Sequence, residues 1–192
     1  MTLSEPLAVT FTVIDVLDAL GIPYLLGGAF ASSAQGAARA TLDADLVADL
    51  RPEHVAPFVA ALRDAFYLDP DTVRSAVLNR GSFNLIHLQT MFKVDVFVHK
   101  GRPFDRAQFE RRRATQLSVD PPRTAYLSSP EDTVLAKLVW YRLGDEVSDR
   151  QWRDILSVLR VQAGRLDVPY LRRWAEELAV SDLLARALTQ VA

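Results

Sequence analysis

Residues 43 to 45 read Asp-Ala-Asp inside the apolar stretch Leu42-Asp-Ala-Asp-Leu-Val-Ala48. Successive side chains of a strand point to opposite faces, so Asp43 and Asp45 share one face while Leu42, Ala44 and Leu46 share the other. Two like charges side by side repel each other and resist burial. A hard divalent cation removes that penalty, and Mg²⁺ prefers carboxylate oxygens. A third aspartate, Asp95, stands in a second strand-like run, Phe92-Lys-Val-Asp-Val-Phe-Val98. Three carboxylates on adjacent strand ends are a candidate site for one or two metal ions. Ions roughly 3.5–4 Å apart can bridge an attacking oxygen, a phosphorus centre and a leaving oxygen. The competing reading of a lone Asp-x-Asp is a solvated strand end.

The residues upstream sharpen the choice. Tyr24-Leu-Leu-Gly-Gly-Ala-Phe-Ala-Ser-Ser33 places a glycine turn after a short apolar strand. Glycines let backbone approach a phosphate closely, and a following helix aims N–H groups at it. Gly27, Gly28 and Ala29 are therefore candidate nucleotide-binding positions, with hydroxyl contacts from Ser32 and Ser33. Arg39 and Thr41 lie on the loop leading to the carboxylates. In the plainer reading the glycines end a strand, and Ala29, Ala31 and Ala34 allow close helix–sheet packing. The segment lacks the Gly-Lys-Ser/Thr of a Walker A loop and the glycine spacing of a dinucleotide fingerprint.

Around this centre the pattern alternates. Leu7 to Leu20 reads as an amphipathic helix ended by Gly21 and Pro23. Strands are expected at 24–26, 42–48, 83–88 and 92–98, and helices at 29–35, 52–66 and 71–78. Gln89-Thr90 is the expected hairpin turn. Residues 101–128 form a polar, arginine-rich connection. From Ser129 the pattern is helical: 129–143, 149–161, 168–178 and 181–192. Ser129-Pro-Glu-Asp132 has the cap, first-turn proline and early acids of a helix start. The expected organisation is an α/β core over 1–100, the connection over 101–128, and a helical region over 129–192.

Composition removes several function classes. A net charge of −2 over 192 residues offers no global field for nucleic acid or membrane. With no cysteine there are no disulfides, thiolate metal sites or cysteine nucleophiles, which fits a cytoplasmic protein. Residues 1–6 lack a basic leader, and no apolar run reaches the roughly 18–20 residues of a membrane span.

Gly27-Gly-Ala-Phe-Ala-Ser-Ser33, Gly36 and Arg39-Ala-Thr-Leu-Asp-Ala-Asp-Leu-Val47 together resemble the signature of the nucleotidyltransferase superfamily with the polymerase-β-like fold. Lys93-Val-Asp95-Val resembles its second motif. Ser129-Pro-Glu-Asp-Thr-Val-Leu-Ala-Lys137-Leu and Arg150-Gln-Trp-Arg-Asp154-Ile resemble the third and fourth. Within the superfamily the chain is most similar to the small nucleotidyltransferases that include the AbiEii and MenT toxins. The resemblance spans about residues 22–160 and implies an α+β fold: a mixed β-sheet flanked by helices, with a C-terminal helical region. It also implies Mg²⁺-dependent transfer of a nucleotide from an NTP, ATP among them, to a hydroxyl acceptor. Asp43 and Asp45 would bind Mg²⁺ with the triphosphate. Asp95 would complete the metal site and help deprotonate the acceptor. Gly27, Gly28 and Ala29 would cradle the β- and γ-phosphates. Lys137 would contact phosphate or acceptor, and Asp154 would hold that lysine or the base and sugar. RNA (tRNA) or protein acceptors and an antitoxin partner follow from the toxin-like branch.

Two registers of the turn stay open: Gly28-Ala29, which lacks a phosphate-binding hydroxyl, and Gly27-Gly28, which lengthens the following loop by one residue. A degenerate fold that binds nucleotide or a partner protein without turnover is the alternative. Lys137 can be a solvated helix lysine, and Asp154 a surface partner for Arg150 or Arg153. His54, His87 and His99 lack zinc spacing. Arg111-Arg112-Arg113, with Arg106 and Arg123, is a solvated face or an RNA contact. Trp140, Tyr141 and Trp152 at helical spacing are expected in the core.

Overall fold

The computed structural model describes residues 4–37 and 41–191. The chain divides into two units, Met1–Phe30 with Ala40–Leu127, and Ala31–Arg39 with Ser128–Ala192.

The first unit is a sheet with its helices. Its strands are β1 (Tyr24–Leu26), β2 (Asp43–Ala48), β3 (Phe66–Tyr67), β4 (Ser82–His87), β5 (Lys93–Val98), β6 (Arg113–Val119) and β7 (Pro122–Leu127). They form one mixed sheet in the order β3-β4-β5-β2-β1-β7-β6. β2 runs parallel to β5 and antiparallel to β1, and β1 runs parallel to β7. The helices of this unit are α1 (Glu5–Ala19), α3 (Pro52–Leu62), α4 (Pro70–Asn79) and α5 (Pro103–Arg111). Helix α2 (Gly28–Ala34) begins here and ends in the second unit.

Burial follows the strand period. On β2 and β5 the alternate residues Ala44, Leu46, Ala48, Val94, Val96 and Val98 are buried, while the intervening ones are half-buried. The apolar face is covered by helices. Phe58 of α3 meets Phe83 of β4 edge-on at 6.0 Å, and Phe83 is the register partner of Val96. Phe11, Ile14 and Leu17 of α1 are buried, as the sequence pattern requires.

Two segments differ from the sequence reading. The helix expected over 52–66 stops at Leu62, and Phe66-Tyr67 forms the edge strand β3 against β4. The segment 101–128, read as a polar connection, carries α5 and the β6–β7 hairpin, which extends the sheet beside β1. Its polarity misled because β6 has no buried residue and is exposed or half-exposed along its whole length, as an edge strand permits. Four of its arginines serve the fold. Arg102 pairs with Asp105 and Arg106 donates to the Gly101 carbonyl. Arg112 lies over the rings of Phe109 and Tyr126, and Arg123 pairs with Asp15 while covering Phe11.

The second unit comprises α6 (Pro130–Leu143), α7 (Asp149–Val161), α8 (Val168–Glu177), α9 (Ser181–Val191) and residues 31–37. Side-chain caps begin three of these helices: Ser129, Ser148 and Asp167 accept from the N–H groups of Asp132, Gln151 and Tyr170. Residues 35–37 are fastened to the bundle. Gln35 Nε2 donates to the Ser128 carbonyl at 2.7 Å, and Ser157 Oγ donates to the Gly36 carbonyl at 2.9 Å. Gly36 has φ +131°, and a Cβ there would lie 2.5 Å from Val161. Among the described residues no helix is long and apolar enough to cross a membrane.

Asp105 supplies a test of the added segment. Burial alone would raise its carboxyl, but the Arg102 guanidinium and backbone N–H outweigh burial and hold it below the usual carboxylate range. A depressed folded-state value stabilises above the unfolded value, near pH 4, and the gain is lost as pH falls through the folded value. Asp105→Asn should therefore lower Tm at pH 7, and the gap to wild type should shrink below about pH 4 in a thermal melt series.

Candidate active site

The three carboxylates share one sheet face because of one strand pairing. In the parallel β2–β5 register, Asp45 faces Asp95 and Asp43 faces Lys93. Register partners point to the same side of a sheet, and neighbouring strands lie about 4.8 Å apart. Asp43, Asp45, Lys93 and Asp95 therefore share the half-buried face opposite the core. Asn84 of β4 is the register partner of Asp95 on its other flank and is exposed on that same face.

Lys93 supplies a cation to this face. Its Nζ lies 2.7 Å from Asp95 Oδ2, with side-chain exposures of 42% and 21%. The hydrogen bond to Asp95 raises the affinity of the ammonium for its proton. Partial burial opposes this, and the charges of Asp95, Asp43 and Asp45 add to it. Thr41 Oγ1 donates to the Asp43 main-chain oxygen at 2.6 Å and bridges the start of β2. Arg39 lies outside the described residues.

The glycine turn meets the same carboxylates. The Gly27 N–H donates to the Asp45 carbonyl at 2.8 Å. Gly28 has φ +53°, and a Cβ built on it would stand 1.7 Å from Asp45 Oδ2. Of the two turn positions, the requirement for glycine thus lies at Gly28: the backbone turns left-handed there and the Asp45 carboxylate takes the place of a side chain. Ala29 is buried. Ser32 and Ser33 fall in the second unit. Ser32 is buried, and Ser33 Oγ donates to the Ala37 carbonyl at 3.3 Å, a local bond that holds the end of α2.

Lys137 and Asp154 form a pair within the helical unit. Lys137 Nζ on α6 lies 2.9 Å from Asp154 Oδ2 on α7, with side-chain exposures of 11% and 8%. The solvated-lysine reading does not describe Lys137, and Asp154 is held by a lysine of another helix. Tyr141 and Trp152 are buried, with ring centroids 5.2 Å apart, whereas Trp140 is half exposed. The histidines have local roles: His54 Nδ1 accepts from the Arg51 N–H, His87 bonds Thr90 in the hairpin turn, and His99 stacks on Phe109.

The sequence reading passed over Lys93 and Asn84. Lys93 was findable, since it stands two residues before Asp95 and so shares its face. Asn84 was not, because only strand pairing brings it beside Asp95. Among the described residues, no three Asp, Glu or His side chains stand close enough as they are to hold a metal ion.

Comparison with solved structures assigns the architecture. The chain is similar to an antigenic nucleotidyltransferase-like protein from Paracoccidioides brasiliensis: TM-score 0.55, 18% identity, covering 97% of this chain and 93% of that one. It is also similar to the lincosamide antibiotic adenylyltransferase LnuA in a lincomycin-bound structure: TM-score 0.53, 14% identity, covering 84% and 99%. A third is ANT(2")-Ia in complex with adenylyl-2"-tobramycin: TM-score 0.52, 12% identity, covering 91% and 98%. The fold is that of the nucleotidyltransferases. No family model matches the sequence, and no curated protein does. Both units of the chain fall within the nucleotidyltransferase likeness, since the first of these alignments covers nearly its whole length.

Two variants test the geometry. Gly28→Ala should cost at least ~1–2 kcal/mol from the left-handed backbone alone, more if Asp45 cannot move, as read by urea denaturation. Lys137→Met takes the ammonium away from a buried carboxylate and should cost up to about 3–5 kcal/mol, while Lys137→Met with Asp154→Leu should recover much of that loss. A double variant as unstable as the single one would show that the pair is not the stabilising unit.

Proposed function

We propose that this protein is a metal-dependent nucleotidyltransferase that moves a nucleotide from an NTP to a hydroxyl acceptor. The observation that carries the reading is the set of Asp43, Asp45 and Asp95 on one sheet face of a nucleotidyltransferase fold, against a glycine turn. The donor set suits Mg²⁺ in its chemistry, since all three ligands are hard carboxylate oxygens. Bound Mg²⁺ would supply charge neutralisation at the triphosphate.

The remaining roles belong to the chain. Asp43 and Asp45 would hold the metal with the nucleotide. Asp95 would complete the metal set and take the proton of the acceptor hydroxyl. That hydroxyl oxygen then bonds to the α-phosphorus, the bond from that phosphorus to the bridging oxygen breaks, and pyrophosphate leaves. The turn at Gly27, Gly28 and Ala29 would admit the β- and γ-phosphates, with Thr41, Ser32, Ser33 and Arg39 as further candidate contacts. Lys137, oriented by Asp154, would contact phosphate or acceptor. Catalysis on this reading is positioning and charge stabilisation of an in-line displacement.

The acceptor is proposed to be a hydroxyl of tRNA, a protein or a small molecule. The solved relatives that are antibiotic adenylyltransferases favour a small molecule, and the AbiEii- and MenT-like motifs favour tRNA or protein. On the toxin-like reading the chain would act in the cytoplasm with an antitoxin partner. A binding-only role is the second reading, favoured by Ala29 where the resemblance carries a hydroxyl.

Mg²⁺ with an NTP should raise Tm by mass action, and Asp43→Asn with Asp45→Asn should remove the shift. Incubation of labelled NTPs with cellular RNA, protein and metabolites should label one fraction. Labelling that survives Asp95→Ala would sink the carboxylate mechanism, and no thermal shift with any NTP would sink both the transferase and the nucleotide-binding readings.

A further inference from the structure

Lys93 has no role in the mechanism above, yet it stands among the groups that the mechanism needs. It occupies the position paired with Asp43 and lies two residues from Asp95 on the same strand face. Its ammonium donates to Asp95 Oδ2 at 2.7 Å. Without a cation, three carboxylates on neighbouring strands would repel one another through a partly buried surface. A carboxylate oxygen held by an ammonium does not accept a metal ion beside it without strong repulsion between the two cations. The lysine is still 42% exposed at its side chain, and its flexible four-carbon stem lets the ammonium swing to water.

We infer that Lys93 is a resident cation that competes with the metal for Asp95, neutralising the acidic face before metal arrives and weakening metal binding until it is displaced. The inference rests on the proposed role of Asp43, Asp45 and Asp95 as metal ligands. Lys93 thereby acts as a positioning residue: it keeps Asp95 turned toward β5's own face in the metal-free protein and sets the metal concentration at which the site fills.

The test is direct Mn²⁺ binding to the full chain without nucleotide, read by electron paramagnetic resonance at fixed pH and ionic strength. Lys93→Met should bind Mn²⁺ about two- to fivefold more tightly than wild type, the range that loss of one partly exposed ion pair supports. Lys93→Arg keeps the charge and should stay within about twofold of wild type. Asp45→Asn should bind more weakly than wild type. In metal-free buffer Lys93→Met should melt below wild type and gain more in Tm when Mn²⁺ is added. Should Lys93→Met not fold, Lys93→Gln, which keeps a hydrogen-bond donor without the charge, should show the same tightening. If wild type binds Mn²⁺, Asp45→Asn weakens it, and neither neutral Lys93 variant tightens it, the inference is overturned and the carboxylate site stands. If wild type binds no Mn²⁺ either alone or with a non-hydrolysable NTP added, the carboxylate site itself falls.

Discussion

The parallel pairing of β2 with β5 sets the geometry on which the candidate site depends. Its register brings Asp45 level with Asp95 and Asp43 level with Lys93. A slip of β2 by one residue would turn Ala44 and Leu46 out of the core and Asp43 and Asp45 into it. The apolar alternation that buries Ala44, Leu46, Val94 and Val96 under the helices is therefore the same force that exposes the acidic face. Burial of roughly 25 cal/mol for each Å² of apolar surface favours that register, and it outweighs the repulsion of charges left near water. The Gly27–Gly28 turn depends on it too, because the Gly27 N–H is satisfied by the Asp45 main chain and Gly28 yields its side-chain space to the Asp45 carboxylate.

The helical unit is organised around buried polar groups. Asp132 accepts from the Tyr170 hydroxyl at 2.7 Å, and Glu131 accepts from the Asp167 N–H at 2.9 Å. Lys137 and Asp154 satisfy one another nearby in the same unit. Such groups are costly to bury unless paired. They therefore specify how α6, α7 and α8 pack more sharply than apolar contacts alone would. The acids at the start of α6 serve both as first-turn charges and as partners for α8.

Much of this is legible in the sequence. The amphipathic period of α1, the caps of α6 and the alternation of β2 and β5 are local, and local patterns survive folding when burial agrees with them. Phe66-Tyr67 was absorbed into the preceding helix because two residues carry no period of their own. Residues 113–127 were read as a connection because an edge hairpin is polar by necessity. Trp140 was expected in the core beside Tyr141, but consecutive helical positions face about 100° apart, and only one of them turns inward. Asp154 invited an arginine one turn away, whereas its partner comes from another helix.

The sequence by itself determined the chemistry available: three carboxylates on apolar strands, a glycine turn, a lysine and an aspartate on helices, and no thiol. It did so because residue type and a period of two or 3.6 are properties of short segments. Tertiary structure alone decided which groups meet. The adjacency of Asp45 to Asp95, the Lys93 ammonium on Asp95, the Asp45 carboxylate over Gly28 and the Lys137–Asp154 pair all join positions whose neighbours are chosen by strand order and helix packing. Those choices are made by burial summed over the whole core, a quantity no short stretch of sequence carries.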